Sequence, residues 1–147
     1  SAGRRQALAL APLLCCWRPE HLLCSPWRRC TETLAPYAAA SDTRVRVKGG
    51  LSEDGHARDP DKAARHLLKV LGRDDGSLIC THRKVLADLL PIVAALTDPQ
   101  RPELAAAVPA DDPYLAPAEA LVLQVARIPG GGDDEVRVVS VEHHLPV

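Results

Sequence analysis

Two short segments of the sequence combine anion-binding side chains with a position that suits anion binding. Residues 25–33 read Ser-Pro-Trp-Arg-Arg-Cys-Thr-Glu-Thr, and residues 80–84 read Cys-Thr-His-Arg-Lys. Each segment follows a short apolar run and precedes a helical pattern, so its cationic groups lie where a strand ends and a helix begins. The unpaired amides and positive dipole of a helix start favour an anion there, and arginine can hold a phosphate with two parallel hydrogen bonds. The alternative is a solvated helix end, the usual role of a surface arginine.

The elements that must position these segments alternate between helix and strand. Apolar spacing predicts helices at residues 3–16, 28–40, 60–71 and 84–96. Short apolar or alternating runs predict strands at residues 22–24, 44–48 and 77–80. Asp59 is the predicted N-cap of the third helix and Gly72 lies just past its end, whereas Pro36 should kink or break the second helix. This alternation predicts an α/β fold with a sheet covered on both faces, where ligands bind at the carboxyl ends of the strands.

The last third of the sequence has a different pattern. Residues 97–117 are rich in proline and predict a long irregular connection. Residues 121–128 and 136–141 then predict a C-terminal hairpin around the Gly-Gly-Gly-Asp-Asp of residues 130–134. The length of 147 residues suits one domain, spanning residues 1–147.

Composition and charge exclude several classes of function. The net charge of −1 gives no basic field for long nucleic acid, and no apolar run approaches the ~20 residues that span a bilayer. The five cysteines have no repeated spacing and no Cys-x-x-Cys pair, so we expect reduced thiols in a cytoplasmic protein and no zinc site. His143 and His144 are adjacent in a predicted strand and face opposite sides. We therefore expect no metal and no cofactor, and we expect His56 and His66 to be solvated.

Four motifs resemble the histidine phosphatase (phosphoglycerate-mutase-like) superfamily and occur in the family's order. Ser25-Pro26-x-x-Arg29-x-x-Glu32-Thr33 resembles its Ser-Pro-x-x-Arg-x-x-Gln/Glu-Thr motif. Residues 3–7 resemble the Gly-x-x-Gln-Ala that opens the family's first helix, residues 51–53 resemble the segment that carries its acid, and residues 78–82 resemble its second histidine motif. The resemblance covers nearly the whole chain. It implies a three-layer α/β sandwich with a mostly parallel sheet.

The resemblance also implies a mechanism and a role for each site residue. In the family, a histidine of an Arg-His motif attacks phosphorus, and water then hydrolyses the phosphohistidine. Arg29 and His82 would hold the phosphoryl oxygens as charge develops, with Ser25 adding a hydrogen bond. Glu53 would protonate the leaving group and then activate water. Asp54 follows Glu53 directly, so the choice between these two carboxylates is open.

The sequence departs from the family in its nucleophile. The Arg-His motif of the first strand does not occur before Gly3, so we expect an N-terminally incomplete domain that lacks this strand and is inactive by itself. Arg65-His66 is an Arg-His pair, but it lies within a predicted helix and follows the arginine motif instead of preceding it.

One subgroup of the family is especially similar, namely the C-terminal halves of actinobacterial Nudix–histidine phosphatase (MutT-like) fusions. This resemblance implies an N-terminal Nudix domain as partner, and phosphorylated small molecules or oxidised guanine nucleotides as substrates. Three hypotheses follow: a phosphatase domain cut short, an inactive relative that binds phosphorylated ligands, and a structural domain that supports a Nudix half. We prefer the first, because a structural role requires none of Arg29, Glu53 and His82. Trp27 would rest against a base or serve in packing.

Overall fold

Helices and strands alternate along most of the chain. The computed structural model describes residues 1–129 and 135–146. Its helices are Ala2–Trp17 (α1), Arg28–Ser41 (α2), Glu53–Arg58 (α3), Asp61–Leu71 (α4), Arg83–Ala95 (α5) and Pro102–Ala107 (α6). Its strands are His21–Cys24 (β1), Val45–Val47 (β2), Ser77–Cys80 (β3), Ala120–Arg127 (β4) and Val136–His144 (β5). Among these described helices, none is long and apolar enough to cross a membrane.

The first three strands form a parallel sheet in the order β2-β1-β3. Cys24, the last residue of β1, is paired with Val47 of β2 and with Cys80 of β3. The pairing continues one residue further, because the Ser25 amide donates to the Cys80 carbonyl at 3.0 Å and the Lys48 amide donates to the Cys24 carbonyl at 2.8 Å. The carboxyl ends of all three strands therefore lie at one edge of the sheet.

Successive residues of β1 enter two hydrophobic cores on opposite faces of this sheet. Leu22 and Cys24 are fully buried against α1 and α2, while Leu23 packs on the other face against α4 and α5. This alternation follows from the two-residue period of a strand. The prediction of an α/β fold with helices on both faces is confirmed.

The first two helices are held together by small and aliphatic side chains. In α1 the buried residues Ala7, Leu10, Ala11 and Leu14 recur at helical spacing. In α2 the buried residues are Cys30, Leu34 and Tyr37, and the Tyr37 hydroxyl donates to the Pro19 carbonyl at 3.1 Å. This bond ties α2 to the segment that leads from α1 to β1.

The C-terminal strands form the predicted hairpin as a separate antiparallel sheet. Val136 and Val138 of β5 are buried in the core of α4 and α5, and the Val138 amide donates to the Leu96 carbonyl at 2.8 Å. The predicted turn at residues 130–134 lies outside the described residues. Among the described strands, β3 pairs only with β1 and β4 pairs only with β5.

Several predicted boundaries were wrong. α4 begins at Asp61 with Pro60 as its N-cap, and Asp59 instead ends the short helix α3, which the sequence analysis missed. The predicted break at Pro36 does not occur, because α2 continues through this residue as one helix; the alternative of a kink there stays a prediction. The connection at residues 97–117 is not wholly irregular, since it contains α6 with its proline in the first turn, where a missing amide proton costs little.

Candidate active site

The structure brings the predicted residues Ser25 and His82 into direct contact. Nε2 of His82 lies 2.7 Å from Oγ of Ser25, and both side chains are buried. Ser25 follows β1 and His82 follows β3, so the pairing of these two strands joins residues that are 57 positions apart. The Ser25 Oγ also accepts a hydrogen bond from the Trp27 amide at 3.3 Å. The serine thus fixes the imidazole and the loop that enters α2 at the same time.

Trp27 lies against the same imidazole. The centroids of the two rings are 4.7 Å apart and the ring planes are inclined by 55°. The indole remains 37% exposed. One part of Trp27 therefore packs on His82, and another part is open to solvent at the edge of the site.

A chain of hydrogen bonds positions Glu53 near these residues. The Thr81 hydroxyl donates to the Leu51 carbonyl at 2.6 Å, which ties the end of β3 to the turn before α3. Ser52 then caps α3, because its hydroxyl oxygen accepts a hydrogen bond from the Gly55 amide at 3.0 Å. Such a cap stabilises a helix by about 1 kcal/mol. Glu53 is the first residue of the helix capped in this way.

The structure distinguishes the two carboxylates that the sequence left as alternatives. Glu53 lines a groove together with Arg28, Arg29 and His82, whereas Asp54 is absent from that lining and is exposed. Oδ2 of Asp54 lies 3.9 Å from the Arg58 guanidinium. A hydrogen bond from the Ser52 hydroxyl lowers the pKa of Asp54. Of the two carboxylates, Glu53 is therefore the one that lines the groove.

The two arginines at the start of α2 differ in their partners. Nε of Arg28 donates to Oε1 of Glu32 at 2.6 Å in an exposed pair. Arg29 is exposed too, but among the described residues no carboxylate oxygen lies within 4.0 Å of its guanidinium. Neither α2 nor α5 has a side-chain cap at its N-terminus. Arg29 and the uncapped starts of α2 and α5 thus all contribute to the lining of the groove.

The groove itself has a volume of about 1870 Å³ and extends well beyond the polar end. It runs between the two sheets, and its lining includes all of β3 and most of β4. Leu78 and Ile79 of β3 and Leu121 and Leu123 of β4 are partly buried along it. A long apolar channel flanked by two strand edges therefore opens into the polar site.

Cys30 is a neighbour of His82 that the sequence analysis missed. Its Sγ lies 3.7 Å from Nε2 of His82 and 3.6 Å from the Thr81 carbonyl oxygen. Interaction with the thiols of Cys24 and Cys80 lowers the pKa of Cys30, and the positive field of His82 acts in the same direction. The signal that could have found this cluster is the placement of Cys24 and Cys80 at the ends of two strands predicted to be neighbours.

The expectation that His56 is solvated was wrong. His56 is 7% exposed, and its Nε2 lies 2.6 Å from Oδ2 of Asp88. This pair ties α3, which carries Glu53, to α5, which follows His82. Within the described part of the chain, Nδ1 of His56 is buried without a hydrogen-bond partner.

The other candidate ligand groups lie away from this site. His143 contacts Glu119 and the Ala107 carbonyl, while His144 contacts Glu142, so the adjacent histidines have separate partners. In the described ranges, one group of side chains has the spacing of metal ligands: Glu20, His21 and Asp75. It lies at the amino ends of β1 and β3, opposite the Ser25–His82 pair.

Comparisons with known proteins agree with these motifs. The sequence model of the histidine phosphatase superfamily (branch 1) matches residues 1–65. Over 88 residues the chain is 33% identical to an 8-oxo-(d)GTP phosphatase of Mycolicibacterium smegmatis, which corresponds to 60% of this chain and 27% of that protein. The chain therefore spans about a quarter of the length of this curated relative.

Solved structures share the fold over almost the whole chain. A protein described as mycobacterial hydrolase 2 superposes with a TM-score of 0.62 at 18% identity, covering 98% of this chain and 76% of that one. A mycobacterial glucosyl-3-phosphoglycerate phosphatase, solved with inorganic phosphate, superposes with a TM-score of 0.61 at 15% identity, covering 98% and 84%. The chain therefore shares the fold of these proteins, and its first 65 residues match the histidine phosphatase superfamily.

Proposed function

We propose that the chain is the phosphate-binding and acid-supplying part of a cytoplasmic phosphatase that forms a phosphohistidine intermediate. The observation that carries the proposal is the buried Ser25–His82 hydrogen bond of 2.7 Å, whose histidine lines the same groove as Arg29 and Glu53. A structural domain has no need for a buried histidine, a free arginine and a carboxylate in one groove.

Each of these residues has a distinct role in the proposed reaction. Arg29 binds two phosphoryl oxygens in the fork geometry of its guanidinium. His82 donates to a third oxygen, and its orientation is fixed by Ser25 on one side and Trp27 on the other. The amides at the starts of α2 and α5 add a positive potential. These groups stabilise the charge that accumulates on phosphorus in the transition state.

Glu53 acts as the general acid and base. It begins α3 and lines the same groove as Arg29. In the protonated form it gives its proton to the leaving oxygen, and as the carboxylate it takes a proton from the water that attacks the phosphohistidine. Thr81 and Ser52 hold the backbone that carries it.

The attacking histidine comes from a strand outside residues 1–147. His66 is unsuited to the task, because it lies on α4 and lines a separate pocket of about 680 Å³ with Lys48, Lys62 and Arg65. The groove between β3 and β4 offers two strand edges and an apolar lining, which suit an inserted strand. A histidine at the carboxyl end of that strand would face His82 across the phosphate.

The substrate is a nucleotide phosphate, and oxidised guanine nucleotides are the class that we favour. This rests on the relative named as an 8-oxo-(d)GTP phosphatase and on the exposed part of Trp27 beside the phosphate site, where a base can stack. We further propose an N-terminal Nudix domain as partner, in a protein of which this chain is the phosphatase half.

A second candidate is a phosphate-binding or structural domain without catalytic activity. It is favoured by one observation: among the described residues that line the groove, His82 is the only histidine, and Ser25 already occupies its Nε2. The two candidates agree on phosphate binding and differ only in turnover.

Phosphate release from nucleoside diphosphates and p-nitrophenyl phosphate separates these candidates. We expect almost no turnover by the 147-residue chain, because removal of the attacking group usually costs several orders of magnitude. A longer protein with an Arg-His strand before Ser1 should hydrolyse at least one substrate, and His82→Ala should abolish this activity. Turnover by the short chain that is lost on His66→Ala would refute the assignment. Phosphate binding without turnover in both proteins would establish the non-catalytic candidate.

A further inference from the structure

Three thiols lie directly behind the phosphate site. Cys24 and Cys80 are the last residues of β1 and β3 and are paired in register, and Cys30 lies in the first turn of α2. All three are free thiols. The proposed phosphatase mechanism uses none of the three thiols, and aliphatic side chains of similar size could fill the same space.

Cys30 and Cys80 are direct neighbours in this cluster. Sγ of Cys80 is 3.9 Å from the Cys30 carbonyl oxygen, and Sγ of Cys30 is 3.6 Å from the carbonyl oxygen of Thr81, the next residue after Cys80. Each sulfur thus lies beside the backbone of the other segment. A disulfide between them requires rotation of the two side chains, so that the sulfur atoms face each other.

Cys30 is the reactive member of the cluster. The neighbouring thiols of Cys24 and Cys80 lower its pKa, with a further contribution from His82. The same interactions raise the pKa of Cys24 and of Cys80, which therefore stay protonated. The thiolate is the form that reacts with oxidants. Cys30 and Cys80 also line the groove, whereas Cys24 does not.

We propose that Cys30 and Cys80 form an oxidation site, at which a hydroperoxide converts the two thiols to a disulfide and weakens phosphate binding. The disulfide itself follows from the thiol geometry alone. Its effect on the ligand rests on the proposed function, because that effect needs the phosphate to bind beside His82 and Arg29.

The chemistry balances in two steps. The Cys30 thiolate attacks one oxygen of the hydroperoxide, so that a sulfur–oxygen bond forms, the oxygen–oxygen bond breaks, and the leaving oxygen takes a proton. The sulfur of Cys80 then attacks the sulfenic acid of Cys30; the sulfur–sulfur bond forms, and hydroxide leaves with the Cys80 proton as water. Two thiols are oxidised, and with hydrogen peroxide the reduced product is two molecules of water.

The disulfide acts on the phosphate site through α2. Cys30 directly follows Arg29 in the first turn of this helix. Rotation of its sulfur toward Cys80 removes the contact of 3.7 Å with His82 and pulls on the turn that carries the arginine. Phosphate binding through Arg29 and His82 is sensitive to such a shift, because hydrogen bonds weaken steeply when their geometry is distorted.

Peptide mapping after treatment with hydrogen peroxide tests the site. The exposed thiols Cys15 and Cys16 are first replaced by serine, so that only the buried cluster can react. We expect an intact mass lower by two hydrogens and one cross-linked peptide pair that contains Cys30 and Cys80. Cys24→Ala is the matched control and should leave this cross-link unchanged. In Cys80→Ser the sulfenic acid of Cys30 should persist and react with dimedone.

Inorganic phosphate binding, measured on the reduced and oxidised chain, tests the consequence. We expect at least tenfold weaker binding after oxidation, and full recovery with dithiothreitol. A cross-link from Cys24, or no cross-link under conditions that fully oxidise Cys15 and Cys16 in the unsubstituted chain, would overturn the proposed site. Unchanged phosphate affinity in the cross-linked chain would overturn its regulatory effect. If the reduced chain binds no phosphate while the disulfide forms, the proposed function fails and the oxidation site stands.

Discussion

The difference between Arg29 and Arg28 offers a direct test of the phosphate site. The two residues are adjacent on α2, carry the same charge and both line the groove. They differ in one respect, because Arg28 is paired with Glu32 at 2.6 Å whereas Arg29 has no carboxylate within 4.0 Å among the described residues. One residue step also turns a helical side chain by about 100°. Only Arg29 should therefore contact the ligand.

The expected magnitudes are well separated. Loss of a charge-assisted hydrogen bond costs roughly 1.5–3 kcal/mol, and a factor of ten corresponds to about 1.4 kcal/mol. Arg29→Ala should thus weaken phosphate binding roughly 10- to 150-fold. Arg28→Ala removes only a solvent-screened charge that does not contact the ligand, so it should weaken phosphate binding by less than about threefold.

Calorimetric titration of the chain with phosphate, at one ionic strength, would measure both effects. Arg29→Lys adds a useful comparison, since it keeps the charge but removes the fork geometry and should recover only part of the loss. Equal losses from Arg28→Ala and Arg29→Ala would show that only diffuse charge attracts the anion, and the argument for a built site would then be refuted.

Two further predictions concern the elements around the site. Gly55→Ala should lower the free energy of unfolding, measured in urea, by about 1–3 kcal/mol, because a Cβ at this position would clash with the Gly49 carbonyl oxygen. The matched control is Gly3→Ala, which should not destabilise the chain, since a Cβ there has no heavy atom within 4 Å. The Ala107 carbonyl and Glu119 raise the pKa of His143 above 6.5. The protonated form of His143 therefore stabilises the fold below about pH 6.5, and this contribution is lost as the pH rises through the folded-state pKa. The difference in Tm between the unsubstituted chain and His143→Gln should thus shrink between about pH 5.5 and about pH 8.5.

The sequence predicted the elements whose physics is local. The apolar stripe of α4 and the buried run of β1 both extend over enough residues to show a period, and both occur close to the predicted positions. The convergence of Ser25 and His82 was also predictable, because both follow apolar strands and parallel strands end at one edge of the sheet.

The missed features depend on contacts between distant segments. α3 has six residues and contains a glycine, so propensity gives no signal for it; its stability comes from the Ser52 cap and from the Thr81 bond to Leu51. His56 is buried because α5 supplies Asp88, which lies 32 residues away. No periodicity in the sequence encodes such a partner.

The contacts that hold the candidate site lie on one side of the groove. The pairing of β1 with β3 holds Ser25, Cys30 and His82. The side chains of these strands that face α2 belong to a hydrophobic core cluster. Glu53 is held through Thr81. None of these contacts involves β4, so a strand that enters between β3 and β4 can complete the sheet without breaking a bond of the phosphate site. The proposed function therefore predicts that phosphate affinity and turnover depend on different parts of the fold, so that binding by the 147-residue chain and hydrolysis by a longer protein can be measured separately.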